Sequence, residues 1–393
     1  MKKRKGISPM SIVVLIFILS PVLSLQETAN PSMPYVLAMV IPAVIYRLRL
    51  RFFNLAMHHV MALFLLFSGL LSCAFGSFGI LDIRYFKYVI LVVFYICVTT
   101  TRYTEYDFSF IAKNYIIVAV GISLLIFLSF IFGYTHGESS YFLSRYSVGI
   151  IGVYKNPNYL TSFVNVALYV LIYRAFFGEI SKLTRSIYVL IVLFFVVSDY
   201  LSGTRASLML AVVIVASILL VNVTRRKKII YAITLLVIIL LLGLSYQSQI
   251  DSLLDYFMGK RSAFEDEGRT MAWSIAIVQV FKHPIFGCGL NAWDYFGKSS
   301  IYLEYLHNVY LELLLNQGFL GLLLCLLMIF DGCLKIKKSD RLFVVIFMIV
   351  TGCPLFFQNG LVAVNFWRFI IINRLVFDYS RYSKNGIAYL VTK

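Results

Sequence analysis

Charge is scarce in this chain, and acid is scarcer than base. Of 393 residues only 13% are charged, with 18 Asp and Glu against 35 Lys and Arg. The hydrophobic fraction is 61% and the mean hydropathy +0.87, more apolar surface than a soluble domain of this length needs. Six cysteines occur, at positions 73, 97, 288, 325, 333 and 353, with no CxxC and no Cys/His spacing, which argues against a zinc site. There is no G-x-x-x-x-G-K-[ST] phosphate loop and no Asp-x-Asp pair to hold a metal-bound nucleotide sugar. Energy for any group transfer therefore has to come from the substrate itself. No internal repeat and no separate soluble domain stand out.

What is present is a series of apolar runs, most of them long enough to cross a bilayer as helices. The hydropathy pattern predicts spans at about 10–26, 33–46, 57–76, 85–101, 114–133, 158–177, 187–202, 207–223, 229–246, 307–330, 342–357 and 361–377. The expected fold class is all-α, a polytopic integral membrane protein of about 12 transmembrane helices forming a single transmembrane domain over 1–393. The first run, Ser11 to Leu25 behind Lys2-Lys3-Arg4-Lys5, resembles a signal peptide. No small-residue cleavage site follows, so it reads as a retained first helix.

The formal charge of +17 raises nucleic acid as a partner, but its placement opposes that. Basic residues cluster between alternate spans: Lys2 to Lys5, Arg47 to Arg51, Arg102 with Lys113, and Lys182 with Arg185. Arg225 to Lys228, Lys335 to Arg341, and Arg381 with Lys384 and Lys393 continue the series. With twelve spans all of these fall on one side, as the positive-inside rule requires, and both termini face the cytoplasm. Two outer loops are long, 134–157 and 247–306. In the second, Met271, Ile275, Val278 and Phe281 share one helical face, predicting an amphipathic helix over 269–282 near the membrane surface. Glu265, Asp266 and Glu267 precede it as a start signal, Arg269 opens it, His283-Pro284 ends it, and Gly287-Cys288-Gly289 is a turn.

Three residues on the outer side carry the candidate chemistry. Arg205, in Ser202-Gly203-Thr204-Arg205, reads as a phosphate contact or as a snorkelling arginine; the positive-inside rule opposes the second. Arg269 reads as part of a helix-terminus anion site, or as the partner of Glu265, Asp266 or Glu267. The acidic triplet has a further reading as a metal site, but three consecutive residues cannot face one ion from a helix. His307 reads as a general base or as an interfacial histidine bonded to a carbonyl. Asn156, Asn158, Asn308 and Glu312 are weaker candidates for binding acceptor or sugar hydroxyls. Asp199 is placed to pair with Arg205, Arg368 needs a partner inside the last span, and Trp273 and Trp293 suit either sugar stacking or an aromatic belt.

The segments Leu201 to Leu208, Gly268-Arg269 through Trp273, His283 to Gly289, and His307-Asn308 with Gly318-Phe319-Leu320-Gly321 resemble the O-antigen ligase and O-antigen polymerase superfamily, as does Lys155-Asn156-Pro157-Asn158. The likeness is carried over about residues 145–330 and is architectural elsewhere. It implies a GT-C-like, metal-independent glycosyltransferase with no cofactor, at the periplasmic face of the bacterial inner membrane. The implied partners are an undecaprenyl-diphosphate-linked glycan, the lipid bilayer and a chain-length regulator protein. The implied roles are diphosphate binding by Arg205 and Arg269 and proton acceptance by His307. The Gly-Cys-Gly turn and the Ser-Gly-Thr-Arg stretch favour a polymerase of repeat units over a ligase acting on lipid A-core. A lipid-linked oligosaccharide flippase is the alternative without chemistry, though such transporters commonly show repeats that are not visible here.

Overall fold

The computed structural model describes residues 6–23, 33–50, 55–76, 83–133, 149–150, 153–154, 157–202, 204, 207, 210–211, 213–214, 263–295, 306–333, 336–357, 364–383, 387 and 390. Helices dominate. In order they are α1 (Pro9–Leu23), α2 (Met33–Arg49), α3 (Met57–Phe75), α4 (Ile83–Thr99), α5 (Glu105–Phe132), α6 (Pro157–Phe177), α7 (Lys182–Leu201), α8 (Ala263–Lys282), α9 (Val309–Phe330), α10 (Arg341–Gly352) and α11 (Val364–Tyr382). A two-residue pairing, β1 (Gly149–Ile150) with β2 (Val153–Tyr154), is antiparallel with Gly149 opposite Tyr154. Six helical stretches among the described residues are long and apolar enough to span a bilayer. The chain is a multi-pass, α-helical membrane protein. The predicted span 229–246 lies outside the described residues, and of 207–223 only 207, 210, 211, 213 and 214 are seen, all helical.

Two compact units result, Met1–Ile117 with Glu267–Lys393, and Val118–Asp266. In the first, α3 and α9 form the most extensive helix pair. Small residues on α3 let the backbones approach, as in other membrane helix pairs. The Ser68 hydroxyl donates to Gln317 Oε1 at 2.9 Å, and the Ser72 hydroxyl donates to the Asn316 carbonyl. Gln317 Nε2 continues to the Tyr88 hydroxyl on α4 at 3.3 Å.

A second network joins the opposite end of the same helices. His58 Nδ1 meets Asp331 Oδ2 at 3.1 Å, and Arg374 bridges Asp331 and Asp378, both at 3.3 Å. His59 Nδ1 accepts the Ala56 N–H at 2.8 Å, so its proton sits on Nε2 and is donated to the Thr99 hydroxyl at 2.9 Å. Buried ionic groups of this kind are stable only when paired, and removing one partner typically costs about 3–5 kcal/mol.

α5 begins at Glu105, not near 114 as the apolar run alone predicts. The reason is a capping box. The Thr104 N–H donates to Asp107 Oδ2 at 2.8 Å, and the Asp107 N–H donates to the Thr104 hydroxyl at 3.3 Å. The other carboxylate oxygen of Asp107 takes the Ser8 N–H at 2.6 Å and the Ser11 hydroxyl at 2.8 Å, tying the start of α1 to the start of α5.

Candidate functional site

α8 begins at Ala263, earlier than the predicted 269. Glu265, Asp266 and Glu267 therefore lie in its first turns rather than before it, where acids favour the free N–H groups. Arg269 is the seventh residue of the helix, so it does not open it. Ala272, Ala276 and Val280 share one face of the helix. Those three are buried against Cys288, Ala292, Trp293, Leu306 and Leu315. Met271, Val278 and Phe281 point outward and are exposed. The helix thus rests on the unit through small side chains and turns bulky apolar ones away, as expected at a lipid surface.

The segment after α8 is built into α9. Gly318 has φ 64° and ψ −165°, which breaks α9 internally. In an unbroken helix the Leu315 carbonyl would accept the Phe319 N–H. Here it accepts the Cys288 N–H at 2.7 Å, while the Phe319 N–H goes to the Pro284 carbonyl at 2.7 Å and the Leu320 N–H to the Ile285 carbonyl at 3.2 Å. The loop replaces one missing turn of helix bonds, so the break leaves these backbone groups satisfied. Gly287, at φ 75°, passes close enough that a Cβ there would stand 2.6 Å from the Gln317 nitrogen. The predicted Gly287-Cys288-Gly289 turn and the Gly318 position are two halves of one backbone clasp.

Cys288 is fully buried at the centre of this clasp, and burial pushes its thiol up to about 11. The thiolate fraction at pH 7 is then negligible. Cys288 should stay unlabelled by a thiol reagent in native detergent micelles at pH 7 and react fully once denatured, as read by mass spectrometry of the peptide. Rapid native labelling would contradict the clasp.

His307 lies between the clasp and α9. It is half-buried and holds a left-handed backbone, φ 52°. Such a conformation costs a non-glycine residue roughly 1–2 kcal/mol. The Trp273 indole N–H donates to the Leu306 carbonyl at 3.0 Å, a bond worth about 1 kcal/mol, so the two terms are of similar size. On the other side, Asn308 caps α9, its Oδ1 accepting the N–H groups of Tyr310 and Leu311, both at 3.1 Å. That oxygen, a candidate for sugar recognition in the sequence, is engaged in capping. Glu312 follows in the first turn of α9 and is half-buried.

The helix that carries Arg269 is tied to the residue before His307 through Trp273, one turn beyond Arg269 in sequence. Of the two sequence-predicted stacking aromatics, Trp293 is buried in the cluster, which removes it from sugar stacking, and Trp273 serves as this tie. Asn158 is the second residue of α6, half-buried. Arg368 is buried in α11 with the Tyr115 phenol among its neighbours. Arg205 and Asn156 lie outside the described residues, as does most of 134–157 and 247–262 with 296–305.

In the second unit, α6, α7 and the residues after them share a buried polar seam. The Thr161 and Ser207 hydroxyls are 2.6 Å apart, and Asn165 Nδ2 donates to the Ser207 carbonyl at 3.1 Å. Asp199 is fully buried there, beside the Asn165 side chain.

The deciding observation is a family match. Residues 187–326 match the O-antigen ligase family. Over that stretch the match supports the resemblance to the O-antigen ligase and polymerase superfamily. The matched stretch contains Arg205, all of α8, both halves of the clasp and His307. The chain matches no curated relative at significant similarity.

Proposed function

We propose that this chain belongs to that superfamily and polymerises undecaprenyl-diphosphate-linked oligosaccharide repeat units into O-antigen or a related surface polysaccharide. The work is done at the periplasmic face of the inner membrane, by a GT-C-like fold without a metal. The acceptor hydroxyl oxygen attacks the anomeric carbon of the donor, its proton passes to His307, and the carbon–oxygen bond to the diphosphate breaks. Arg205 and Arg269 take the charge that gathers on the leaving diphosphate, where fixed cations have their largest effect. A base must reach its proton within about 2.6–3.2 Å. Asn156, Asn158 and Glu312 are proposed on the acceptor side. The observation that carries this reading is the bond from Trp273 to the Leu306 carbonyl, which sets a strained histidine beside the helix of a basic residue.

Twelve spans, with cytoplasmic termini and outer loops 134–157 and 247–306, belong to the same proposal. The starts of α1 and α5 meet through Asp107, and the start of α3 meets the end of α9 through His58 and Asp331. The end of α3 meets the clasp instead, with Phe75 and Phe286 stacked at 5.4 Å. These pairings agree with one basic inner side and the clasp outside. Cysteine placed at Ser299 in a cysteine-free background is expected to react with an impermeant reagent from outside, and cysteine at Lys338 only after permeabilisation. The reverse pattern would falsify the span assignment.

A ligase that moves the chain to lipid A-core is the second reading, favoured by the description of the matched family. Deleting the gene and resolving the surface polysaccharide on a gel separates the two. Cores capped with a single repeat indicate a lost polymerase; bare core with polymer still on its lipid carrier indicates a lost ligase. Unchanged polysaccharide removes both.

A further inference from the structure

The peptide plane between Leu306 and His307 fixes where the histidine backbone begins its turn, because φ of His307 is measured from it. Trp273 holds that plane through the Leu306 carbonyl at 3.0 Å. Beyond His307, the plane leading into α9 is held by the Asn308 cap. The histidine is clamped between two fixed frames, in a conformation that an L residue does not favour. One of those frames belongs to α8, a single turn from Arg269. Trp273 is also packed against the buried cluster of Ala272, Ala276 and Leu306, so its ring has little freedom to follow a moving backbone.

We propose that Trp273 is a positioning residue for His307, and that its indole N–H couples the basic helix α8 to the aim of the imidazole. The inference rests on the reading of His307 as the base. Movement of α8 when a diphosphate engages Arg269 is passed to the Leu306–His307 peptide through one hydrogen bond, so donor binding and acceptor activation are linked. A loosened base is a misaligned base, and a displacement of about 1 Å in an active group can cost about 10²-fold in rate.

The test uses the full-length protein in lipid vesicles with a lipid-linked repeat unit as donor and acceptor. Trp273→Phe keeps an aromatic ring in the cluster and removes the N–H. Its turnover is expected to fall by about tenfold to a hundredfold, with donor KM within about threefold and the melting temperature close to wild type. In a His307→Ala background the same change is expected to add no further loss, since an absent base cannot be misaligned. Turnover within about twofold of wild type, or a loss that multiplies with that of His307→Ala, overturns the proposal. So does a rise in KM equal to the fall in turnover. If Trp273→Phe is not monodisperse, benzothienylalanine at position 273 carries the test, because it keeps the indole shape without the N–H. Should His307→Ala itself retain full turnover, the reading of the base fails; an inactive His307→Ala with a silent Trp273→Phe sinks only the coupling.

Discussion

His307→Ala is expected to cut polymer formation by about 10²–10⁴-fold while the protein still binds its lipid-linked donor. General-base catalysis typically contributes about 10²–10⁴-fold, and the amide of His307→Gln cannot replace it because it does not accept a proton near neutral pH. The left-handed backbone at this position calls for a control. Asparagine tolerates φ above zero better than most residues, so His307→Asn removes the imidazole while sparing the turn. Both variants should fall to that residual turnover in vesicles and should bind donor within a few-fold of wild type. An active His307→Asn beside an inactive His307→Ala would mean that the backbone, not the ring, matters. Arg269→Ala in the same assay should lose donor affinity, and Arg269→Lys should restore little of it, since an ammonium lacks the two-pronged fork.

Gly318→Ala is expected to remove most of the folded protein. The backbone there lies at φ 64° and ψ −165°, a region that is essentially glycine's alone and costs other residues about 1–3 kcal/mol. A Cβ would also stand 2.6 Å from the Pro284 carbonyl oxygen, so the clasp must open to admit it. Opening would leave the N–H groups of Phe319 and Leu320 and the carbonyl of Leu315 without partners, each a further cost of about 1–3 kcal/mol when buried. The sum is comparable to the whole stability of an ordinary domain. Yield of monodisperse protein and its melting temperature in detergent are the measurements. A Gly318→Ala protein with a near-native melting temperature would refute the backbone exchange between loop and helix.

Most of the helices were legible because an apolar run of fixed length has few alternatives in a bilayer. Their ends were less so. α5 starts early because of Thr104 and Asp107, a short capping signal inside a polar stretch, and it could have been read from the sequence. α8 also starts early, which places Arg269 inward along the helix. The pairing of His58 with Asp331 and Arg374 could not have been read, because it joins residues more than 270 and 40 positions apart through side-chain direction alone. The nearness of α8 to His307 is of the same kind. The residues were named by their chemistry, but the tie between them is an indole bonded to a carbonyl, and carbonyls carry no sequence signal. Asn308 shows that one side chain can carry two readings: its amide suits a sugar hydroxyl, and its oxygen, placed before a helix, also serves as a cap.

The anchoring of α1 by Asp107 has a consequence in time. Ser8 and the carboxylate that holds it are separated by 99 positions. Ribosomes add about 5–20 residues per second, so roughly 5–20 s of synthesis pass before that carboxylate is made, and more before it leaves the ribosome. Through that interval the first helix, a span in the proposed topology, is without its partner. In the proposed topology its orientation then depends on the basic Lys2-Lys3-Arg4-Lys5 head holding to the cytoplasmic surface, and packing only later fixes in place what charge has already oriented.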